Sequence, residues 1–399
     1  MPYYIGDVIK SKRRLIARTP EEFKKSGIDV ILRTSVEEID TAKGIVNIST
    51  GQDLPYDDLV IATGAEAVSP EIPGLDLEGV FHFHNLADAL KLKSYLDKNK
   101  CRKAVIIGGG VIGMQIAEAF RNLHMEVNIL HIRPAPGANY ESKLVQYVLE
   151  EIRNHQVEFL SETVTQSIEP GPGFRLLVKT SKGDFNADVV LIAIGAKRNI
   201  SLAESVGLKM GETGAIQVNF SQKTSWENIY AAGDCCEVFH RVSRRWAYLP
   251  LGDVANKQGR TAGRNIGGCP GIFPGVVGSR SLKVFGLEIA VTGLNEAEAV
   301  KSGFAPVSFF MWGSPVSRSL SRGEKLGLNM IADKSTGKLL GAQCVGVGGA
   351  VKRIDTLAAA LWNEMDIEEI GYLDLAYSPA FGGGWDPIHI AAQNLARKL

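Results

Sequence analysis

Lys103-Ala104-Val105-Ile106-Ile107-Gly108-Gly109-Gly110-Val111-Ile112-Gly113 is the stretch from which the fold can be read. Ala104 to Ile107 is a short all-apolar run rich in β-branched residues, the pattern of a strand buried on both faces. The glycines follow at once, Met114 to Leu123 has helical spacing, and Val127 to Leu130 reads as the next strand. Strand, glycine turn, helix and strand within about thirty residues make the βαβ unit that opens a dinucleotide-binding fold. A bare G-x-G-x-x-G is weak evidence, and the flanking elements are what make this one specific. Gly108 permits the tight turn, Gly110 lets backbone approach a pyrophosphate, and Gly113 lets helix and strand pack closely. The phosphates then sit at the positive end of the helix.

Working outward, two further segments end a short apolar strand in glycine: Asp58 to Gly64 before the βαβ unit, and Asp188 to Gly195 after it. Asn228 to Asp234 is a third. Their similarity predicts two related nucleotide folds, one inserted in the other. Pro270 to Pro274 is proline- and glycine-rich and fits a domain boundary. Beyond it, Ser281 to Thr292 and Leu326 to Ala332 alternate, and Val351 to Met365 reads as a long helix. The expected fold class is α/β, with two Rossmann-like domains followed by a C-terminal α+β domain built on an antiparallel sheet.

The bulk numbers exclude several functions. At 399 residues the chain is long enough for two to three domains, and 45% apolar with 22% charged residues is ordinary for a globular protein. Lys+Arg and Asp+Glu both number 44, so no global field favours nucleic acid or an acidic membrane. The short basic runs Lys10 to Arg14 and Arg241 to Arg245 read as solvated surface. No apolar run approaches the ~20 residues needed to cross a bilayer, and Met1 to Lys10 lacks the apolar core of a signal peptide, so a cytoplasmic location is expected. Cys101, Cys235, Cys236, Cys269 and Cys344 form no C-x-x-C pair and suggest neither a disulfide framework nor a metal site. Cys235-Cys236 is the one adjacent pair.

Taken in order, Ala62-Thr63-Gly64, the Gly108 to Gly113 turn, Ile194-Gly195 and Ala232-Gly233-Asp234 resemble the pyridine nucleotide-disulfide oxidoreductase superfamily. The likeness is greatest to its coenzyme A disulfide reductase and NADH oxidase branch. It is carried by Leu249-Pro250-Leu251 with Ala255 to Arg260, by Ser281 to Phe285 with Thr292 to Asn295, and by Ala376-Tyr377-Ser378-Pro379 with Asp386-Pro387. The resemblance implies an FAD-binding domain in two pieces (1–76 and 195–272), an NAD(P)H-binding domain (77–194) and a dimerisation domain (273–399). It implies that Asp234 hydrogen-bonds FAD, that Thr63 and Gly64 pass close to the flavin, and that Tyr377 reaches the reactive centre of the other subunit in a homodimer. Ala62, Gly195 and Gly233 complete the expected cofactor-binding set, with a small-molecule disulfide or another electron acceptor as substrate.

The second strand of the βαβ unit ends in His131, followed by Ile132 and Arg133, where an NAD-preferring fold usually has a carboxylate. Histidine and arginine there suit a 2′-phosphate, so NADPH is favoured over NADH; the competing reading is two surface residues in a loop. Three departures from the family pattern stand out. Gln115 occupies a position where relatives often carry glutamate, and Val316 to Arg322 lacks a Tyr-Tyr-Pro common at that place. In relatives the segment like Pro2 to Gly6 is preceded by Cys-Gly-Leu and a glycine-rich βαβ unit of roughly forty residues, so the FAD domain is expected to be incomplete in the chain as written. Two classes of function follow. One is an FAD-dependent NAD(P)H oxidoreductase acting on a disulfide such as coenzyme A disulfide, on polysulfide or on oxygen. The other is a non-catalytic NAD(P)H-binding homologue, a dimeric scaffold or redox sensor.

Overall fold

The computed structural model describes residues 1–399 apart from 138, 139 and 172. The chain forms two compact units, one of residues 1–10, 67–195 and 277–399, the other of residues 11–66 and 196–276.

In the first unit, a five-stranded parallel sheet runs in the order Val80–His82, Val189–Ile192, Lys103–Ile107, Glu126–Leu130, Val157–Leu160. Val105 and Ile106 on the central strand have no exposed surface, as expected for a strand covered on both faces. Helix Val111–Asn122 begins directly after the glycine turn and stops before His124, whose φ of +59° cannot continue a helix. The short helix Pro2–Ile5 packs on it so closely that a Cβ on Gly6 would lie 2.9 Å from the Ala119 Cα. Lys93 holds the same segment through Asp7 at 2.9 Å.

The C-terminal part of this unit is the expected antiparallel sheet, in the order Arg280–Val284, Leu287–Gly293, Leu339–Gly346, Leu326–Asp333, Pro306–Gly313. Two details differ from the sequence reading. The alternating run 281–292 is a hairpin of two strands, broken at Phe285 (φ +49°) and Gly286. That turn is fixed from outside the hairpin: Glu118 accepts from Phe285 N at 2.8 Å and from Lys283 Nζ at 3.0 Å, and Glu151 accepts from Gly286 N at 2.8 Å. The helix expected to reach Met365 spans Ala350–Trp362. It ends because Glu364 takes φ +53° and the Met365 N–H turns back to the Ala360 carbonyl, closing the last turn.

The second unit has a three-stranded antiparallel sheet, Val36–Asp40, Ile45–Ile48 and Asp53–Pro55, and two parallel strands, Leu59–Ile61 and Ile229–Ala231. Ile39, Val46, Ile61, Ile216, Ile229 and Ala231 are among its core. All three glycine-ended segments read from the sequence are therefore strands. The outer two pair with each other, and the middle one lies within the five-stranded sheet.

Candidate active site

The glycine turn of the first unit is built as a cradle. Gly108 has φ +115°, and a Cβ there would stand 2.3 Å from the Ala193 carbonyl oxygen, at the end of the strand that leads to Gly195. A Cβ on Gly113 would stand 1.9 Å from the Gly108 oxygen. Only glycine fits either place. Gly110 differs: among the described residues nothing lies within 4 Å of its would-be Cβ, so they leave the turn open on that side. Gly110 is also the N-cap of helix Val111–Asn122, with no side chain capping it and no acid in the first turn. The free N–H groups and the positive helix end thus face an open approach, the arrangement that receives a phosphate.

His131 is drawn into this turn. Its Nδ1 accepts the Gly109 N–H at 3.1 Å, and its ring meets Phe159 edge-on at 5.7 Å. Burial pushes its pKa below the ordinary value, with Arg133 acting in the same direction. The imidazole is therefore neutral, with its proton on Nε2, a buried atom that meets no hydrogen-bond partner among the described residues. Of the two residues at the strand end, His131 is hydrogen-bonded into the turn and Arg133 is exposed.

In the second unit the register Leu59↔Ile229 to Ile61↔Ala231 brings Ala62-Thr63-Gly64 beside Ala232-Gly233-Asp234. Gly64 (φ +67°) and Gly233 (φ +85°) turn both chains away from the strand ends. The Thr63 hydroxyl donates to the Asn199 carbonyl at 2.5 Å, and Gly233 N–H donates to Oε1 of buried Gln258 at 2.9 Å. A Cβ on Gly233 would lie 3.5 Å from that of Ala255, so the first turns of helix Gly252–Ile266 rest on this corner. Below it, Cys235 and Cys236 are buried and unbridged. The Cys235 Sγ–H faces the Ile61 and Ala232 carbonyls and that of Cys236 the Gly233 carbonyl, each at 3.4 Å. Neighbouring Cys236, with Gly64 and Thr63, draws the Cys235 thiol down to about 7 against the effect of burial.

Tyr377 stands on a separate loop, 60% exposed, with Tyr372, Phe381 and Trp385 exposed nearby in sequence. The structure thus gathers Gly108, Gly110, Gly113 and His131 at one place, with the strand leading to Gly195 against them. It gathers Ala62, Thr63, Gly64, Gly233 and Asp234 at another.

A family model for pyridine nucleotide-disulphide oxidoreductases matches residues 5–259, and one for the dimerisation domain of these proteins matches residues 279–386. The chain belongs to this family. An NAD(P)H sulfur oxidoreductase (CoA-dependent) of Pyrococcus furiosus is 38% identical over 397 residues, covering 98% of this chain and 89% of that protein. An NAD(P)H coenzyme A polysulfide/persulfide reductase of Pyrococcus horikoshii is 37% identical over 394 residues, covering 98% of this chain and 88% of that protein. The solved structure of a NAD-dependent persulfide reductase from A. fulgidus matches with a TM-score of 0.94 at 36% identity, covering 100% of this chain and 75% of that one.

As a member of the pyridine nucleotide-disulphide oxidoreductases, the chain is a flavin-dependent NAD(P)H oxidoreductase, and its dimerisation segment supports a homodimer. Its residues fit the two nucleotides the family implies. The open Gly110 turn fits a pyrophosphate. At the Thr63–Asp234 corner, Arg198 Nε and the Tyr248 hydroxyl are buried without hydrogen-bond partners among the described residues, as donors awaiting an acceptor would be. Neither residue stands out in the sequence. The one signal was position: Arg198 comes three residues after Gly195, and Tyr248 just before the Leu249-Pro250-Leu251 run.

Proposed function

We propose that this chain is an FAD-dependent enzyme that oxidises NAD(P)H and delivers the electrons to a sulfur acceptor: a disulfide such as coenzyme A disulfide, a persulfide or a polysulfide. The observation that carries the reading is the open glycine turn at Gly110, with its uncapped helix end, in a chain 38% identical over nearly its whole length to a sulfur oxidoreductase. In this assignment residues 77–194 hold NAD(P)H, residues 1–76 and 195–272 hold FAD, and residues 273–399 form the dimer. Gly108, Gly110 and Gly113 admit the dinucleotide phosphates. Arg133 receives the 2′-phosphate of NADPH, which makes NADPH the preferred donor. Thr63, Gly64 and Asp234 hold the flavin, which when bound accepts hydride from the nicotinamide. Tyr377 borders the acceptor across the dimer, and the location is cytoplasmic.

Steady-state oxidation of NADPH and NADH by the purified protein, with coenzyme A disulfide, polysulfide and oxygen compared as acceptors, tests this directly. Turnover highest with a sulfur acceptor supports the proposal. Equal turnover with oxygen alone replaces it by an oxidase.

A second reading has one observation in its favour. Among the described residues the parallel sheet below Thr63 and Asp234 has two strands, and Ile28, Val30, Ile31 and Leu32 of that unit are exposed. A flavin site on so small a sheet would hold its cofactor weakly. The chain would then be an NAD(P)H-binding dimer serving as scaffold or redox sensor, and the absence of flavin from protein purified with added FAD would favour that role.

A further inference from the structure

Arg198 and Tyr248 are joined in a way that the glycine motifs do not explain. Arg198 closes the strand Ala196–Arg198, which pairs with Ala65–Ala67. The next residue, Asn199, donates its N–H to the Gly64 carbonyl at 3.0 Å and accepts the Thr63 hydroxyl at 2.5 Å. Arg198 is thereby rooted at the Thr63–Gly64 turn. Tyr248 arrives from the other side, after the strand Arg245–Ala247 and just before helix Gly252–Ile266. The guanidinium carbon lies 4.4 Å from the centre of the Tyr248 ring.

This stack consumes the face of the guanidinium and leaves its in-plane N–H groups for an acceptor. None meets Nε: it is buried without a hydrogen-bond partner among the described residues, and so is the Tyr248 hydroxyl. Buried donors are normally satisfied, and two orphans on stacked side chains call for a common explanation. Burial and the Asp234 carboxylate hold the phenol protonated, so it offers a hydrogen to a ligand. The pair supplies donors and one positive charge, so its ligand is an oxygen acceptor.

We propose that Arg198 and Tyr248 form a second contact of the flavin site, donating from Nε–H and the phenol O–H to an acceptor oxygen of FAD. This rests on the reading that the Thr63–Asp234 corner holds FAD. FAD carries such oxygens in its pyrophosphate, in its ribityl and ribose hydroxyls and along the carbonyl edge of its ring. Arg198 with Tyr248 thus adds to Asp234 a contact of opposite charge, able to hold an oxygen that a carboxylate would repel.

The test is the affinity of the full chain for FAD, riboflavin and ADP, followed by flavin fluorescence or calorimetry, in wild type, Tyr248→Phe, Arg198→Lys and Arg198→Gln. Tyr248→Phe removes one hydroxyl and leaves the packing. Arg198→Lys keeps the charge but loses the stacked fork. Each is expected to weaken FAD about tenfold or more, with NADPH affinity at the glycine turn unchanged. A parallel loss for ADP places the contact on the adenosine diphosphate half of FAD, and a parallel loss for riboflavin places it on the ribityl–ring half. Wild-type FAD affinity in Tyr248→Phe and Arg198→Lys would overturn this contact alone. A wild-type chain that takes up no FAD would overturn the flavin reading and this contact with it.

Discussion

Arg353 grips Asp386 with two parallel hydrogen bonds, Nε to Oδ1 at 3.0 Å and Nη2 to Oδ2 at 2.8 Å. Arg353 is 1% exposed and Asp386 7% exposed. The third guanidinium nitrogen donates to the Gly349 carbonyl, and Asp386 also caps the helix Pro387–Ala396 through the Ile388 N–H. One carboxylate therefore ends the loop that carries Tyr377 and starts the last helix. Arg353→Met leaves Asp386 buried and charged without its partner, a change that costs about 3–5 kcal/mol. Chemical denaturation is expected to show that loss, and gel filtration a larger monomer fraction. A variant as stable and as dimeric as wild type would show that the clamp does not organise the loop.

Gly110 and Gly113 separate binding from folding. Gly113→Ala drives a methyl into the Gly108 carbonyl, 1.9 Å away, and is expected to cost about 1–3 kcal/mol in stability. Gly110→Ala meets nothing within 4 Å among the described residues, at a φ of −82°, so its melting temperature should stay at the wild-type value. Its methyl stands on the approach proposed for the dinucleotide, and NADPH affinity should fall. Equal losses of affinity without loss of stability in both variants would contradict this division.

His131 gives the first unit a pH dependence of known sign. Its pKa is lowered in the folded chain, while in the unfolded chain it takes a proton near 6.5. Below that value the unfolded chain binds a proton that the folded chain refuses, so stability falls. The contribution is complete above about 6.5 and is lost as pH drops toward the lowered value. His131→Asn keeps an acceptor for the Gly109 N–H and cannot be protonated, so its melting temperature should fall less than that of wild type over the same range. An identical pH profile would exclude His131 as the source.

Thiol reactivity should be ruled by burial. Cys269 is exposed, while Cys235, Cys236 and Cys344 are buried. Burial pushes the Cys344 thiol up to about 12 and the Cys101 thiol up to about 11. Cys235 is drawn to about 7 yet has no accessible surface. A disulfide reagent at neutral pH is expected to modify Cys269 rapidly and the others only on unfolding, as read by peptide mass. Rapid native labelling of Cys235 would show that the Thr63–Asp234 corner opens in solution.

Much of this architecture is legible in the chain itself, for definable reasons. Ala104 to Ile107 and the glycines after it leave little choice, because Gly108 and Gly113 each answer to a backbone oxygen and Gly110 to an open approach. The apolar alternation of Leu326 to Ala332 marks its strand in the same way. What the sequence conceals depends on contacts between distant residues. The break at Phe285-Gly286 is held by Glu118 and Glu151, far away in the chain. Nothing in the order His131-Ile132-Arg133 tells that Gly109 and Phe159 engage the imidazole while Arg133 stays exposed. Arg198 and Tyr248 are unremarkable apart, and only folding stacks them and leaves two donors without acceptors.

One chain is expected to hold both a flavin and a nicotinamide nucleotide. The visible spectrum of the purified protein supplied with FAD, titrated anaerobically with NADPH, reads both at once. Retention of the flavin band after removal of free FAD, and its bleaching by one equivalent of NADPH, is the expected result. A colourless protein, or a bound flavin that NADPH leaves oxidised, would contradict it.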